Sequence, residues 1–203
     1  MTAPTRTLRF DGAIAGIGTQ NGTRFVVGVW DESPFGPIAD VMIERADGHR
    51  VLVAPSDEVG RLIADTYGFD EVRVEPTTLV RSGSRWTLTS ASLELGFDVG
   101  ARTTLGWLLA LVPRSVARSR WWCRVINPLA RVLRPGVRTI GTAGGGREER
   151  YCALDEHGIG GLRAVWDGVD HGPLRPIDPP VRFGFGSTPR RPSVVRVTTF
   201  VDA

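Results

Sequence analysis

Lysine is missing from this sequence of 203 residues. All 25 basic side chains are arginines. Chemistry that needs a lysine side chain, such as Schiff-base formation or base catalysis by a neutral amine, is therefore excluded. The frequent Ala, Gly, Val and Pro residues indicate that a genome of high GC content, and not selection for bidentate anion binding, explains the replacement of lysine by arginine.

Cysteine and long apolar segments are scarce. The two cysteines, Cys123 and Cys152, have no CxxC spacing and no neighbouring histidine pair, so we expect two free thiols and no zinc site. The longest apolar run, residues 105–112, is far shorter than the roughly 20 residues that cross a membrane. The N-terminus shows no apolar region typical of a signal peptide. These features predict a cytoplasmic protein.

Signatures of known catalytic sites are absent as well. No serine stands in a GxSxG context. The glycine-rich residues 141–147 precede a strand-like segment instead of the helix that a phosphate-binding loop requires. The three histidines have no HxH, HxxxH or HxxE spacing. We therefore expect neither a metal nor a cofactor.

The arginines are unevenly distributed along the chain. Residues 10–98 contain 7 arginines and 14 acidic residues, whereas residues 99–147 contain 9 arginines and no acidic residue; the formal net charge is only +3. The acidic segment can neutralise the basic one, so ion pairing within the molecule is favoured over nucleic-acid binding. A membrane surface is a less favoured partner, because the arginines of residues 114–126 do not gather on one face of a helix.

The sequence pattern predicts a mainly β protein of the α+β class. Asn-Gly and Asp-Gly turns between alternating segments favour an antiparallel β-barrel or a strongly curved sheet with two or three short helices, in one domain over residues 1–203. A helix is expected within residues 55–69, and a helical insertion rich in Trp and Arg at about residues 104–134. Strands are expected at residues 7–19, 24–31, 39–46, 49–54, 71–75, 77–80, 86–89, 93–99, 137–143, 149–153, 162–165, 181–186 and 194–201.

The hairpin around the Asp47-Gly48 turn breaks a local rule. A two-residue turn places Arg45 directly opposite Arg50, and like charges in that position destabilise a strand pair unless an anion lies between them. Broken local rules tend to occur at functional sites. We therefore predict that Arg45 and Arg50 bind an anionic group.

The helical insertion supplies three more candidate ligand contacts, Trp107, Arg118 and Trp122. Indole rings and guanidinium groups inside a lid over the barrel suit an anionic amphipathic molecule such as an acyl, prenyl or aromatic acid. The first functional hypothesis is therefore the binding of a small anionic or hydrophobic molecule in a β-barrel cavity.

Two other functional hypotheses are open. His49, with Asp40 or Glu44 on the same strand face, provides a lysine-independent acid–base site for an isomerase, cyclase or dehydratase. Alternatively, the basic segment docks on an acidic neighbour, and the protein has a structural or partner-binding role. Neither the ligand nor the oligomeric state follows from the sequence.

Four segments of the sequence resemble an uncharacterised family of conserved proteins from high-GC actinobacteria. They are residues 33–45 (SPFGPIADVMIER), 47–55 (DGHRVLVAP), 135–139 (PGVRT) and 181–189 (VRFGFGSTP). The resemblance covers almost the whole chain and implies no particular activity.

In strand pattern and size the sequence is also similar to two barrel families. Gly28-Val29-Trp30 matches the Gly-x-Trp of the lipocalins, in which the tryptophan closes the barrel floor, and this marks Trp30 as a candidate ligand contact. The second family is the acetoacetate decarboxylase superfamily. Its Schiff-base lysine has no counterpart here, so this resemblance implies the fold without that decarboxylase chemistry.

Overall fold

The computed structural model describes residues 7–119, 121–122, 140–142, 148–183 and 188–202. Within these ranges it contains 13 strands and three helices. The helices are α1 (Asp57–Ala64), α2 (Thr104–Ala110) and α3 (Arg114–Ala117). The strands are β1 (Thr7–Thr19), β2 (Arg24–Glu32), β3 (Ile38–Glu44), β4 (Arg50–Ala54), β5 (Glu71–Val74), β6 (Thr78–Ser82), β7 (Arg85–Thr89), β8 (Leu93–Arg102), β9 (Ile140–Thr142), β10 (Glu148–Trp166), β11 (Val169–Asp170), β12 (Leu174–Arg175) and β13 (Ser193–Asp202).

Ten of these strands form one curled sheet with the shape of a half-barrel. Their order is β5-β4-β3-β2-β1-β13-β10-β8-β7-β6, while β9 and β11 pair with β10 and β12 pairs with β1. Neighbours are antiparallel except β4 and β5, which are parallel because α1 carries the chain across between them. The predicted mainly β fold with a strongly curved sheet is confirmed.

Both predicted hairpins form, but three-residue loops connect their strands where the sequence predicts two-residue turns. A type I′ turn of two residues requires positive φ at both central positions. In these loops only the glycines have a positive φ, 85° at Gly22 and 89° at Gly48. In the second loop the backbone N–H of Arg45 therefore donates to the carbonyl of His49 at 2.9 Å. The register of the second hairpin is therefore shifted by one residue from the predicted one.

The shifted register removes the like-charge pair predicted in the second hairpin. Glu44, and not Arg45, lies opposite Arg50. Opposite charges then face each other across the two strands, which is a favourable arrangement. The predicted pairing of Arg45 with Arg50 is wrong, because the two residues are not cross-strand neighbours.

The two faces of the sheet pack against different partners. On one face, side chains such as Phe25, Ile43, Leu95 and Phe97 meet in the main core, because the curl brings β2–β4 over β7 and β8. On the other face, α1 and the segment that follows β12 cover β1–β3. The second interface contains the cavity described below.

The first helix forms as predicted but is shorter. The Oγ of Ser56 accepts a hydrogen bond from the backbone N–H of Val59 at 3.4 Å, and two acidic residues occupy the first turn. The helix ends at Ala64, five residues before the predicted limit. The apolar side of α1 faces the sheet and forms part of the wall of the cavity.

The C-terminal half differs from the prediction in three places. The strands predicted at residues 149–153 and 162–165 are parts of one long strand, β10. The strand predicted at residues 181–186 does not form at residues 181–183, and residues 184–186 lie outside the described ranges. Cys152 on β10 is buried and disulfide-bonded, so the prediction of two free thiols is wrong. Cys123 lies outside the described residues.

The helical insertion begins where the sequence predicts it. Thr103 caps α2, and the absence of a side chain at Gly106 lets the helix approach β10 closely: a Cβ there would lie 2.2 Å from the carbonyl oxygen of Glu156. The predicted remainder of the insertion, residues 123–134, is outside the described ranges. No helix in the described part of the chain combines the length and apolar character needed to cross a membrane.

Candidate functional site

A cavity of about 220 Å³ lies between the sheet and the elements that cover it. Strands β1, β2, β3, β10 and β13 form one wall, and α1 with residues 181–183 and 188–189 forms the other. The lining is predominantly apolar, and its described part contains no arginine or histidine. Its polar members are Trp30, Asp40, Thr66, Tyr67, Glu149, Tyr151, Thr188 and Thr199.

Asp40 lines the cavity from the middle of β3 and is only 2% exposed. Its Oδ1 accepts a hydrogen bond from Nε1 of Trp30 at 3.0 Å, and in the described part of the chain this is its only hydrogen bond. The two side chains meet above Gly28, which lies directly opposite Asp40 on β2. A Cβ at Gly28 would lie 2.5 Å from Oδ1 and 2.9 Å from Nε1. The glycine therefore makes the contact between carboxyl group and indole possible.

Glu149 enters the same cavity from the start of β10 and is also buried. The hydroxyl of Tyr67 donates to its Oε2 at 2.5 Å. Tyr67 also makes a short hydrogen bond with the hydroxyl of Tyr151, which stands two residues after Glu149 on the same strand. The carboxyl group and the two phenols thus form one hydrogen-bonded cluster.

Burial changes the proton affinity of both carboxyl groups. Desolvation raises the pKa of Asp40 to about 7, against the opposing effect of the hydrogen bond from Trp30. Desolvation likewise raises the pKa of Glu149 to about 7, against the hydrogen bonds from the two tyrosines. Near neutral pH each carboxyl group is therefore divided between its acid and its carboxylate, as general acid–base catalysis requires.

The two phenols keep their protons over the same range of pH. Desolvation, followed by the repulsion of the neighbouring acidic groups, raises the pKa of Tyr67 and of Tyr151 well above the usual value. Asp40 is close enough to contribute to the effect on Tyr151.

Two hydroxyl groups of the lining have no hydrogen-bond partner among the described residues. They are the Oγ1 atoms of Thr188 and Thr199, and Thr199 is only 2% exposed. A buried hydroxyl without a partner is rare in a folded protein. Both threonines are therefore available to a polar group on a bound molecule.

Glu44, predicted as an acid–base candidate, is engaged in an ion cluster outside the cavity lining, in which Glu44 and Arg24 are buried and Arg182 is exposed. Its Oε1 lies 3.0 Å from Nη2 of Arg24 and 3.1 Å from Nε of Arg182. Its Oε2 accepts the backbone N–H of Arg182 at 2.7 Å. The cluster ties the segment after β12 to β3, which is a structural role.

The other residues predicted at the second hairpin lie at the protein surface. His49 is 3.5 Å from an acidic side chain of β5. Arg45 lies 3.4 Å from Asp47, and Arg50 holds Asp70 through two hydrogen bonds of 3.0 and 3.1 Å. The structure therefore does not bring His49 together with Asp40, and both arginines already have carboxylate partners.

Of the predicted ligand contacts, Trp30 lines the cavity and those in the insertion do not. Trp107 is 62% exposed, with the guanidinium of Arg102 stacked over its ring. Arg118 is partly exposed and lies 3.9 Å from Asp11. Trp122 is partly buried away from the cavity. The described part of the insertion is therefore not a lid over the cavity.

Four residues of the lining were not predicted from the sequence: Glu149, Tyr67, Tyr151 and Thr199. Glu149 and Tyr151 stand on the same face of β10 as Ala153, and all three line the cavity. A glutamate on an inward strand face is the signal that was available for this site. In the described residues no group of three or more His, Cys, Asp or Glu side chains is arranged to hold a metal ion.

Two solved structures are similar to the chain over most of its length. One, reported under the words "Structural Studies of Acetoacetate Decarboxylase", aligns with 98% of this chain and 88% of its own, with a TM-score of 0.50 and 10% sequence identity. The chain has the fold of acetoacetate decarboxylase. At this identity the likeness concerns the fold alone, and the Schiff-base chemistry of lysine is unavailable to a chain without lysine.

The second similar structure is the acetoacetate decarboxylase from Legionella pneumophila subsp. pneumophila str. Philadelphia 1. It aligns with 100% of this chain and 90% of its own, with a TM-score of 0.46 and 10% sequence identity. No protein-family model matches the chain. No curated protein matches it in sequence either.

Proposed function

We propose that the protein is a lysine-independent acid–base enzyme that transfers protons on a small, mainly apolar molecule held in the cavity. The observation that carries this proposal is the placement of two buried carboxyl groups, Asp40 and Glu149, in the wall of one apolar cavity. Burying a carboxyl group without a counter-ion is unfavourable for folding. Groups of this kind concentrate at functional sites.

The hydrogen bonds assign a different role to each carboxyl group. Only Oδ1 of Asp40 is hydrogen-bonded in the described part of the chain, so its Oδ2 is free to act as the base. Glu149 is partly in its acid form near neutral pH and is held in place by the hydroxyl of Tyr67, so it is suited to donate a proton to an oxygen atom. An acid and a base on the same cavity wall provide general acid–base catalysis.

The reaction that fits this pair begins at a carbon atom next to a carbonyl group. The carboxylate of Asp40 takes the proton, the electron pair of the C–H bond forms the enol double bond, and the cluster of Glu149 protonates the carbonyl oxygen. The enol hydroxyl then returns its proton to Glu149 and the carbonyl group forms again. In a β,γ-unsaturated ketone Asp40 gives its proton to the γ carbon at this step, which completes an isomerisation. In a β-hydroxyketone Asp40 instead protonates the departing hydroxyl group, which leaves as water and completes a dehydration. In both reactions the protons and electrons balance with these two groups alone.

The lining also restricts the class of molecule. A volume of about 220 Å³ is below the 300–1,000 Å³ typical of sites for drug-sized ligands. The described lining contains two carboxyl groups and no arginine, which favours a neutral carbonyl or hydroxyl group over a carboxylate. An acyl or aromatic acid would enter most readily in its neutral form.

The second candidate function is binding without turnover. It is supported by the unpartnered hydroxyl groups of Thr188 and Thr199, which can orient a polar head while the apolar wall holds the rest of the molecule. Binding of a small anionic molecule was the first hypothesis from the sequence. The composition of the lining favours a neutral head group over an anionic one.

A solvent-exchange experiment separates the two functions without knowledge of the substrate. The protein is incubated in D₂O with a panel of small apolar ketones, hydroxyketones and unsaturated acids, and NMR follows deuterium incorporation at carbon. Wild-type protein should catalyse exchange into at least one compound. Asp40→Asn and Glu149→Gln should each lower that rate by about a hundredfold or more. Glu94→Gln, which changes an exposed glutamate paired with Arg163, is the matched control and should keep the wild-type rate.

The other outcomes decide against the proposal. A thermal shift with a panel compound but no exchange identifies a binding protein. Exchange that persists in both cavity variants places the chemistry elsewhere. The absence of both exchange and thermal shift leaves the structural or partner-binding role.

A further inference from the structure

The cavity is elongated along strand β13. Alternate residues of this strand line it: Val195, Val197, Thr199 and Val201. At about 3.3 Å for each residue of a strand, the first and the last of them are roughly 20 Å apart. Tyr151 lies opposite Thr199, and Glu149 lies opposite Val201. The cluster of Glu149 and the two tyrosines therefore occupies one end of the cavity.

The other end of the cavity lies at Gly16 of β1, where β13 begins. A Cβ at Gly16 would lie only 2.8 Å from the Cβ of Thr188, a lining residue of the covering segment, so Thr188 packs directly on this glycine. Ser193 is the residue opposite Gly16 on β13. Residues directly opposite each other in antiparallel strands turn to the same face of the sheet. The side chains of Thr188 and Ser193 are therefore neighbours at the end of the cavity away from Glu149.

Neither of these two side chains has a hydrogen-bond partner for its hydroxyl group among the described residues. Ser193 is only 3% exposed. A buried hydroxyl without a partner is rare, and a hydroxyl can both donate and accept a hydrogen bond. The described lining has no arginine or histidine. The pair therefore suits an uncharged hydroxyl or carbonyl group better than a carboxylate.

Asp40 lies between the two ends of the cavity. It belongs to a row that crosses the strands, in which each residue stands opposite the next: Asp40, Gly28, Ile14 and Val195. Val195 is two residues from Ser193 and four from Thr199. A molecule whose carbonyl group is bound at Glu149 can therefore pass its adjacent carbon atoms along Asp40 and extend towards Gly16.

We propose that Thr188 and Ser193 bind a second polar group of the substrate, an uncharged hydroxyl or carbonyl, which an apolar chain separates from the reacting carbonyl group. The inference rests on the proposed function for the end that reacts at Glu149, whereas the second subsite rests on the two hydroxyl groups themselves. The substrate is then a linear molecule with an oxygen function at each end and not a simple ketone.

Matched pairs of ketones test the second subsite. The probes are methyl ketones of about eight to twelve carbon atoms, a range that fits within the roughly 20 Å of the cavity, each with and without a hydroxyl group at the far end. Thermal shift measures the affinity, and deuterium exchange at carbon measures the chemistry. The wild type should bind the hydroxylated member about tenfold more tightly. The preference should be greatest at one chain length, because both ends of the cavity are fixed.

Two variants remove the hydroxyl groups with little change in packing. Thr188→Val keeps the methyl group that packs on Gly16, and Ser193→Ala keeps the Cβ. Each should lower the preference to about threefold or less. Both should keep the wild-type thermal unfolding midpoint, since the lost hydroxyl has no partner among the described residues. Thr89→Val, the same change at an exposed position of β7, is the matched control and should keep the full preference.

The outcomes separate this inference from the acid–base role. Equal affinity within every pair, or a preference that survives in Thr188→Val and Ser193→Ala, would overturn the second subsite, while exchange into the ketones would still support the enzyme. A preference that the two variants remove, without any exchange, would support the subsite and count against the enzyme. Thr199→Val, at the Glu149 end, should weaken both members of a pair alike. Loss of the preference in that variant instead would place the second polar group at the wrong end and overturn the assignment.

Discussion

Replacing Asp40 by asparagine should stabilise the protein, and the gain should grow as the pH rises. Asparagine has nearly the same shape, and its carbonyl oxygen can still accept the hydrogen bond from Trp30. The substitution therefore removes the titrating group with little change in packing. Any dependence of its effect on pH then reports on the buried carboxyl group itself.

The magnitude follows from the pKa of Asp40, which burial raises from 3.8 to about 7. The folded protein holds this proton more tightly than the unfolded chain. The contribution of this proton to the free energy of unfolding is therefore fully present below the unfolded pKa near 3.8, and it is lost as the pH rises through about 7. With about 1.4 kcal/mol for each pKa unit, the complete loss is about 4 kcal/mol. Between about pH 5 and pH 8 it amounts to roughly 2 to 3 kcal/mol.

Urea unfolding of both proteins at these two pH values measures the effect. The stability of Asp40→Asn relative to the wild type should increase by roughly 2 to 3 kcal/mol from the lower to the higher pH. Glu149 titrates in both proteins, so its contribution largely cancels in the difference. Parallel stability curves for the two proteins would show that the carboxyl group of Asp40 is not held in its acid form by burial, and would refute the reasoning.

Asp70→Asn is the matched control. Asp70 is at the surface, and its hydrogen bonds with Arg50 lower its pKa to about 2. Its contribution to stability is present above the unfolded pKa and is lost only as the pH falls through about 2. The difference between Asp70→Asn and wild type should therefore be nearly constant between about pH 5 and pH 8.

Three further substitutions test the packing of the site. Gly28→Ala should lower stability by about 1 to 3 kcal/mol and change the tryptophan fluorescence, because its Cβ would displace the carboxyl group of Asp40; unchanged fluorescence and stability would contradict this. Glu44→Gln should lower the free energy of unfolding by about 3 to 5 kcal/mol, since it leaves two guanidinium groups without their shared carboxylate; a loss below about 1 kcal/mol in urea unfolding would contradict it. Tyr67→Phe removes a hydrogen bond that lowers the pKa of Glu149, so NMR titration should find that pKa raised further, and a lowered value would be the contrary result.

The curved β sheet could be predicted because its signals are local. Alternation of apolar and polar residues marks most strands, and Asn-Gly and Asp-Gly mark the first two loops. The register could not be predicted with the same rules, because loop length depends on which loop residues adopt positive φ. In each of the first two hairpin loops only the glycine, Gly22 or Gly48, has a positive φ. The loop is then one residue longer than expected, and every cross-strand pair shifts by one residue.

The site was predicted only in part, because some of its residues are far apart in the sequence. Asp40 and Trp30 belong to one hairpin, ten residues apart, and both were among the candidates. The Glu149 cluster joins residues 82 positions apart in the chain, so no spacing in the sequence reveals it. The arginine distribution did not point to this site, because the described cavity lining contains no arginine.

The titration of the cavity carboxyl groups is the most direct test of this account. Carbon-13 labelled Asp and Glu side chains can be followed by NMR as a function of pH in the wild type, Asp40→Asn and Glu149→Gln. We expect two carboxyl resonances of the wild type to titrate near pH 7, one of them missing from each variant. If every carboxyl resonance titrated below about pH 5, as ordinary Asp and Glu side chains do, the acid–base site proposed here would not exist.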